Sequence, residues 1–334
     1  MCTHASAFAI QAVTRHGARP SRKGGPRALQ RKRTIGTRGS PLALWQAHTV
    51  RDALARLAPD TEWAVQVLKT SGDRITGELK DFGGKGLFTR ELEDALLDGR
   101  IDLAVHSMKD VPTVGHERLM IPCVLPRADV RDAFISVRHA SIEALPKGAL
   151  VGTASLRRRA QLSALRPDVR FCLLRGNVQT RLRKLEDGVC EATFLACAGL
   201  KRLGESARIT QAVPTDTMLP APAQGVIGVE MRREDILLQA LLAQLNDREA
   251  ELCITAERAF LRALDGNCRT PIAALARMND AMEFRGEVLS PDGRLRFASV
   301  DTRAVATPGE AYDFGYALGE ALRGEIGGRI TFDA

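Results

Sequence analysis

Residues 150–196 read LVGTASLRRRAQLSALRPDVRFCLLRGNVQTRLRKLEDGVCEATFLA, and this stretch decides the fold class. Leu150–Gly152 is short, apolar and closed by glycine, and predicts a strand leading into a helix over Leu156–Leu165. Val169–Leu174 predicts a second strand and Val178–Leu185 a second helix, which Gly188 can terminate. Ala192–Ala196 predicts a third strand. This βα rhythm implies parallel sheets covered by helices on both faces.

The same rhythm extends upstream. Thr34–Gly36 starts a strand, and Ser40-Pro41 offers an N-cap and an N1 proline for a helix over Leu42–Leu57. Ala64–Thr70 alternates like a strand, and Leu87–Asp98 predicts a helix closed by Gly99. Ile101–Val105 is a short apolar strand running into His106-Ser107-Met108-Lys109-Asp110-Val111-Pro112, and Ala133–Val137 predicts another. Downstream, a Pro-rich link over Pro214–Pro222 precedes a strand at Val226–Met231 and helices at Asp235–Leu245 and Asp247–Leu264. From Ile272 the pattern changes to an antiparallel meander, Ile272–Met278, Met282–Leu289 and Arg294–Thr302, with a turn at Ser290-Pro291-Asp292-Gly293. A last helix covers Glu310–Leu322, and no internal repeat stands out. The expectation is an α/β protein with two lobes built on parallel-rich sheets and a small α+β C-terminal domain.

The length of 334 residues suggests two or three domains, and no run of 18 apolar residues offers a transmembrane helix. The formal charge of +8 is localised. Arg15, Arg19, Arg22, Lys23, Arg27, Arg31, Lys32 and Arg33 carry it, and no acid precedes Asp52. From residue 34 onward the chain is neutral, which disfavours nucleic-acid binding, as do the sparse aromatics. Residues 1–33 have the composition of an organelle transit peptide, or else form a disordered extension or read through an upstream start. The seven cysteines include no C-x-x-C spacing, so neither a metal site nor a disulfide framework is indicated. Most lie in apolar segments. Cys268 differs: it sits in the polar turn Asp265-Gly266-Asn267-Cys268-Arg269-Thr270-Pro271, where it reads as a plain loop cysteine or as an accessible thiolate.

The arginines fall at strand-to-helix junctions. Arg38 precedes the Ser40-Pro41 helix start, Arg157 and Arg158 open a helix, and Arg175 and Arg181 flank another helix start. Ligands of parallel α/β sheets sit at the carboxyl ends of strands, where helix N-termini attract anions. Guanidinium groups at the same junctions form bidentate carboxylate or phosphate sites, so the pattern predicts a cleft for an anionic small molecule. Gly83-Gly84-Lys85-Gly86 fits neither the P-loop nor the Rossmann spacing; it is a flexible loop or a lid carrying Lys85. Asp110 among cations is either a structural counter-charge or a group that stabilises a developing cation and moves a proton. His106 is either a base or a satisfied structural residue.

Taken in order, the segments beginning Gly36-Thr-Arg-Gly-Ser-Pro, Gly83-Gly-Lys-Gly, Ala104-Val-His-Ser-Met-Lys-Asp, Gly152-Thr-Ala-Ser-Leu-Arg-Arg, Leu174-Arg-Gly-Asn, Ala198-Gly-Leu-Lys-Arg and Leu219-Pro-Ala-Pro-Ala-Gln-Gly resemble the porphobilinogen deaminase (hydroxymethylbilane synthase) family. The turn at Cys268 matches too, so the resemblance runs from about residue 34 to the end. It implies a cytoplasmic monomeric transferase of tetrapyrrole biosynthesis. Its first two domains would be similar to the lobes of periplasmic binding proteins, covering 34–125 with 223–245, and 126–222; domain 3 would be 246–334.

The resemblance further implies that Cys268 holds one covalent dipyrromethane cofactor through a thioether, and that four porphobilinogen molecules join it with loss of ammonia before hydroxymethylbilane is released. Asp110 would be the catalytic carboxylate. Arg38, Ser40, Lys109, Arg157, Arg158, Arg175, Arg181 and Arg202 would bind substrate and cofactor carboxylates, with Lys85, Ser107, Thr153 and Ser155 as further candidates. No metal, nucleic acid or membrane is implied. Ala154, Asp81 and Asn267 depart from residues frequent in the family. A two-lobed solute-binding protein would share the cleft but would need neither the third domain nor Cys268.

Overall fold

The computed structural model describes residues 32–69, 89–266 and 270–330. Strand β1 (Lys32–Arg38) is followed by helix α1 (Pro41–Leu57), β2 (Glu62–Leu68), α2 (Arg90–Leu97), β3 (Leu103–Ser107) and β4 (Leu119–Val124). The chain then crosses to a second sheet. There it forms β5 (Asp132–Ser136), β6 (Leu150–Gly152), α3 (Leu156–Leu165), β7 (Arg170–Cys172), α4 (Val178–Glu186), β8 (Ala192–Ala196), α5 (Cys197–Arg202) and β9 (Gln211–Ala212). It returns as β10 (Ile227–Arg232), then continues through α6 (Ile236–Ala243), α7 (Arg248–Ala263), β11 (Ile272–Met278), β12 (Met282–Leu289), β13 (Arg296–Arg303) and α8 (Pro308–Ile326).

The basic extension was expected to reach residue 33, but Lys32 and Arg33 belong to β1. Arg33 is buried, and its Nη1 donates to Asp102 Oδ1 at 2.8 Å and to Asp235 Oδ2 at 2.7 Å. Two acids distant in sequence thus claim a charge that local composition assigns to the tail.

The α/β class holds, but the sheets are mixed, not parallel throughout. Their orders are β2-β1-β3-β10-β4 and β7-β6-β8-β5-β9. In the first, β1 runs parallel to β2 and β3, while β10 runs antiparallel to β3 and β4. In the second, β6 runs parallel to β7 and β8, while β5 runs antiparallel to β8 and β9. The antiparallel strands β5 and β10 arrive from the other sheet. No crossover helix on their own sheet fixes their direction, so the βα rhythm does not govern them. The two sheets share one topology although the sequence shows no repeat. Strand β4 escaped the sequence reading because Pro122 interrupts it; it lies at a sheet edge, where proline is tolerated.

The C-terminal unit is the expected meander, β11-β12-β13, packed under α7 and α8. Phe260, Phe284 and Phe314 form its centre, with ring centroids 5.2 Å and 6.1 Å apart in sequence order. Gly286 makes room for Phe260, since a Cβ there would stand 2.5 Å from the ring. Gly315 on α8 similarly lets the backbone of Ala256 approach. Each sheet has apolar clusters of its own, so three cores frame the spaces between them.

Candidate active site between the two sheets

The described candidates lie where the junction argument put them, at carboxyl ends of strands and at helix ends. Lys85 and Cys268 lie outside the described residues, as do Asp81, Asn267 and the loop 83–86.

On the first sheet, Ser40 N-caps α1 by accepting the Ala43 amide at 3.3 Å, with Pro41 at the first helical position. Arg38, Ser40, Gln46, Thr89, Ser107 and Asp110 line a cavity of about 80 Å³. Gln46 Nε2 donates to Ser107 Oγ at 2.8 Å. Side chains alternate along β3, so His106 faces away from Ser107. His106 Nε2 stands 3.0 Å from Glu230 Oε2, and both side chains are buried. This pairing with Glu230 supports the structural reading.

On the second sheet the arginines have partners that sequence did not suggest. Arg157 Nη1 donates to Asp132 Oδ2 at 2.8 Å, to Gln161 Oε1 at 3.0 Å and to the Leu219 carbonyl at 2.8 Å. Arg158 Nη2 donates to Asp132 Oδ1 at 2.7 Å, and its Nη1 to the Phe194 carbonyl at 2.8 Å. Burial alone would raise the Asp132 carboxyl, but the charges of Arg157 and Arg158 outweigh it and hold the group far below the usual carboxylate range. Burial likewise lowers Arg157, with Asp132 opposing. Arg158 Nε is buried with no hydrogen-bond partner among the described residues. Thr153 and Ser155 act locally: Thr153 Oγ1 accepts the Ser155 amide at 3.1 Å, and Ser155 Oγ accepts the Arg158 amide at 3.4 Å as the cap of α3.

Arg181 Nε donates to the Gly176 carbonyl at 2.8 Å. Burial pushes Arg181 down to about 10, Arg158 adds to this, Asp110 opposes it and Arg175 lowers it further. Arg202, at the end of α5, donates from Nη2 to the Gly225 carbonyl at 2.7 Å and stands 5.7 Å from the Trp45 ring of α1. Burial takes its pKa to about 10.

Lys109 joins the two halves. Its Nζ donates to Gln224 Oε1 at 3.3 Å, and Gln224 Nε2 donates to Asp132 Oδ1 at 3.0 Å. Burial lowers the Lys109 pKa to about 8; Asp110 opposes, Arg158 adds to the fall, and Asp132 and Arg157 act in turn against and with it. Asp110, Lys109, Arg157, Arg158, Arg175 and Arg181 therefore form one electrostatic neighbourhood spanning both sheets. Asp132 is taken up by Arg157 and Arg158, so such a site favours a ligand with several carboxylates beside Asp110.

Burial raises the thiol pKa of all five described cysteines, the half-buried Cys172 included. Burial raises Cys123 and Cys253 to about 12, and Cys190 and Cys197 to about 11.

The model for "Porphobilinogen deaminase, dipyromethane cofactor binding domain" matches residues 34–240, and that for "Porphobilinogen deaminase, C-terminal domain" matches 251–324. The chain belongs to the porphobilinogen deaminase family. A porphobilinogen deaminase of Paracoccus denitrificans is 56% identical over 304 residues, covering 90% of this chain and 95% of that protein. One from Nitrobacter hamburgensis is 54% identical over 265 residues, covering 78% of this chain and 84% of that protein. A chloroplastic porphobilinogen deaminase of Pisum sativum is 53% identical over 267 residues, covering 78% and 72%. Among solved structures, a VFT2 domain of Bordetella pertussis BvgS is 14% identical with a TM-score of 0.40, covering 64% of this chain and 85% of that one. That likeness is loose, and nothing about ligand follows from it.

Within the porphobilinogen deaminase match, the candidates from Arg38 to Arg202 fall in the cofactor-binding domain, and position 268 falls in the C-terminal domain. Sequence reasoning missed Asp132, Gln161 and Gln224, the residues that hold the cations in place. Gln224 stood in the quoted Leu219–Gly225 segment as a polar residue among small ones, which was the available signal. Asp132 gave none, since its partners lie more than twenty residues away.

Proposed function

We propose that this protein condenses four porphobilinogen molecules stepwise onto a dipyrromethane primer held by Cys268, releases ammonia at each step, and frees hydroxymethylbilane by hydrolysis. The observation that carries the reading is the joining of Asp110 to Lys109, Arg158 and Arg181 in one charge neighbourhood across two sheets. Each porphobilinogen brings an acetate and a propionate. Cations at strand ends bind these side chains and orient the pyrrole ring, which lowers the entropic part of the barrier.

In this reading Arg38, Ser40, Lys109, Arg157, Arg158, Arg175, Arg181 and Arg202 hold carboxylates, and the buried Arg158 Nε has a donor to spare for one. Ser107, which lines the cavity with Asp110, and Thr153, Ser155 and Lys85 are further candidates for the same role. The Asp110 carboxylate accepts the pyrrole N–H, stabilises positive charge as the amine leaves, and moves a proton at that nitrogen. The residues present fit a polyacid primer, because they supply cations in excess of the one acid that must stay free. When bound, the dipyrromethane group supplies a nucleophilic pyrrole carbon to the growing chain. We take the domains as ending at 125, 222 and 245, with Lys32 and Arg33 in the first, and the protein as a cytoplasmic monomer.

Intact-protein mass together with porphobilinogen turnover tests the reading. The wild type should carry an adduct on Cys268, and Cys268→Ser should lack it and be inactive. Asp110→Ala should keep the adduct and lose most turnover. An unmodified and fully active wild type would sink the proposal.

A further inference from the structure

The segment that carries Asp110 is gripped from behind by a residue of the C-terminal unit. Arg258 of α7 donates from Nη1 to the carbonyls of Met108 at 3.3 Å and Val111 at 2.9 Å, and from Nη2 to the Pro112 carbonyl at 2.6 Å. These carbonyls bracket Asp110 on both sides. The grip is part of a longer seam. Ile254 and Ala250, one and two helical turns before Arg258 on the same face of α7, pack with buried Met108 and Val111. Met108 also fills the space a side chain at Gly228 would occupy, and its amide donates to the Val226 carbonyl at 3.0 Å.

The charge itself needs an explanation. Arg258 makes no ion pair with any described carboxylate, and burial lowers its pKa to about 10, with only Glu230 opposing. A methionine or leucine would fill the same volume without the cost of desolvating a cation. A guanidinium can do what those residues cannot: its planar fork holds several carbonyl oxygens at fixed angles at once.

We propose that Arg258 is a positioning residue for Asp110: it clamps the main chain of 108–112 so that the carboxylate stays aimed at the cleft while substrates join. The inference rests on the catalytic reading of Asp110 and deepens it.

The test uses the full-length holoenzyme with porphobilinogen as substrate, reading kcat, KM and adduct mass. Arg258→Met should lower kcat about tenfold to a hundredfold, as expected for misplacement of a reacting group, with KM changed less than about threefold and the adduct retained. Arg258→Lys keeps a cation but not the fork, and should fall between Arg258→Met and wild type. On an Asp110→Asn background, single-turnover rates should show little further loss from Arg258→Met, because both changes remove the same aimed carboxylate.

Wild-type kcat in Arg258→Met, or losses that multiply with those of Asp110→Asn, would overturn the inference. If Arg258→Met does not fold, Arg258→Lys carries the test, and wild-type kcat in that variant overturns it. Full activity in Asp110→Asn would instead remove the catalytic reading of Asp110, an outcome separable from failure of the clamp alone.

Discussion

At Lys109, ligand capture and stability respond to pH in opposite directions. Its pKa is lowered from 10.5 to about 8, chiefly by burial. Below that value the ammonium is present and attracts a substrate carboxylate; above it the attraction is lost. kcat/KM for porphobilinogen should therefore fall as pH rises through about 8, and Lys109→Gln should remove that limb of the profile. Folding prefers the neutral amine, so between about 8 and 10.5 the unfolded chain binds more protons and stability should rise with pH. Denaturant titrations of wild type and Lys109→Gln across that window separate the two effects. Much of this residue's position was legible: a lysine after an apolar strand, next to an aspartate, projects from the carboxyl end of a sheet. Its burial was not legible, because Gln224 and Asp132 reach it only through chain crossings.

At the scale of elements, helix contact in the C-terminal unit depends on a glycine. A Cβ at Gly315 would run into the backbone of Ala256, which cannot rotate away as a side chain can. Gly315→Ala should force α7 and α8 apart at a cost of about 1–3 kcal/mol, read as a lower denaturant midpoint. Helix α3 and strands β6, β8, β11 and β12 carry the bounds their sequences predicted, because glycine, proline and apolar periodicity punctuate those segments locally. Strands β5 and β10 were also visible as strands, yet their antiparallel direction was not. Direction is a property of where the chain comes from, and no residue within the strand records it. The same holds for His106: only the pairing of β10 beside β3 brings Glu230 to it.

Over the whole molecule, a polar chain that is exposed at Arg296 and buried from Glu287 to Gln224 links the three units. Arg296 on β13 pairs with Glu287 on β12 at 2.6 Å; Glu287 meets Gln161 on α3, and Gln161 meets Arg157, which meets Asp132. Asp132 then connects through Gln224 to Lys109. Removing its one central acid strands two buried guanidiniums. Asp132→Asn should cost about 3–5 kcal/mol, measurable by urea unfolding, while Asp110→Asn should leave stability nearly unchanged. The crossings that build this chain also set an order of events during synthesis. Strand β10 inserts between β3 and β4, so one edge of β3 and the whole of β4 stay unpaired until the ribosome has delivered the entire second sheet. The N-terminal half cannot finish first, as nascent domains usually do. Messages stalled before codon 227 should leave open strand edges, a natural target for chaperones.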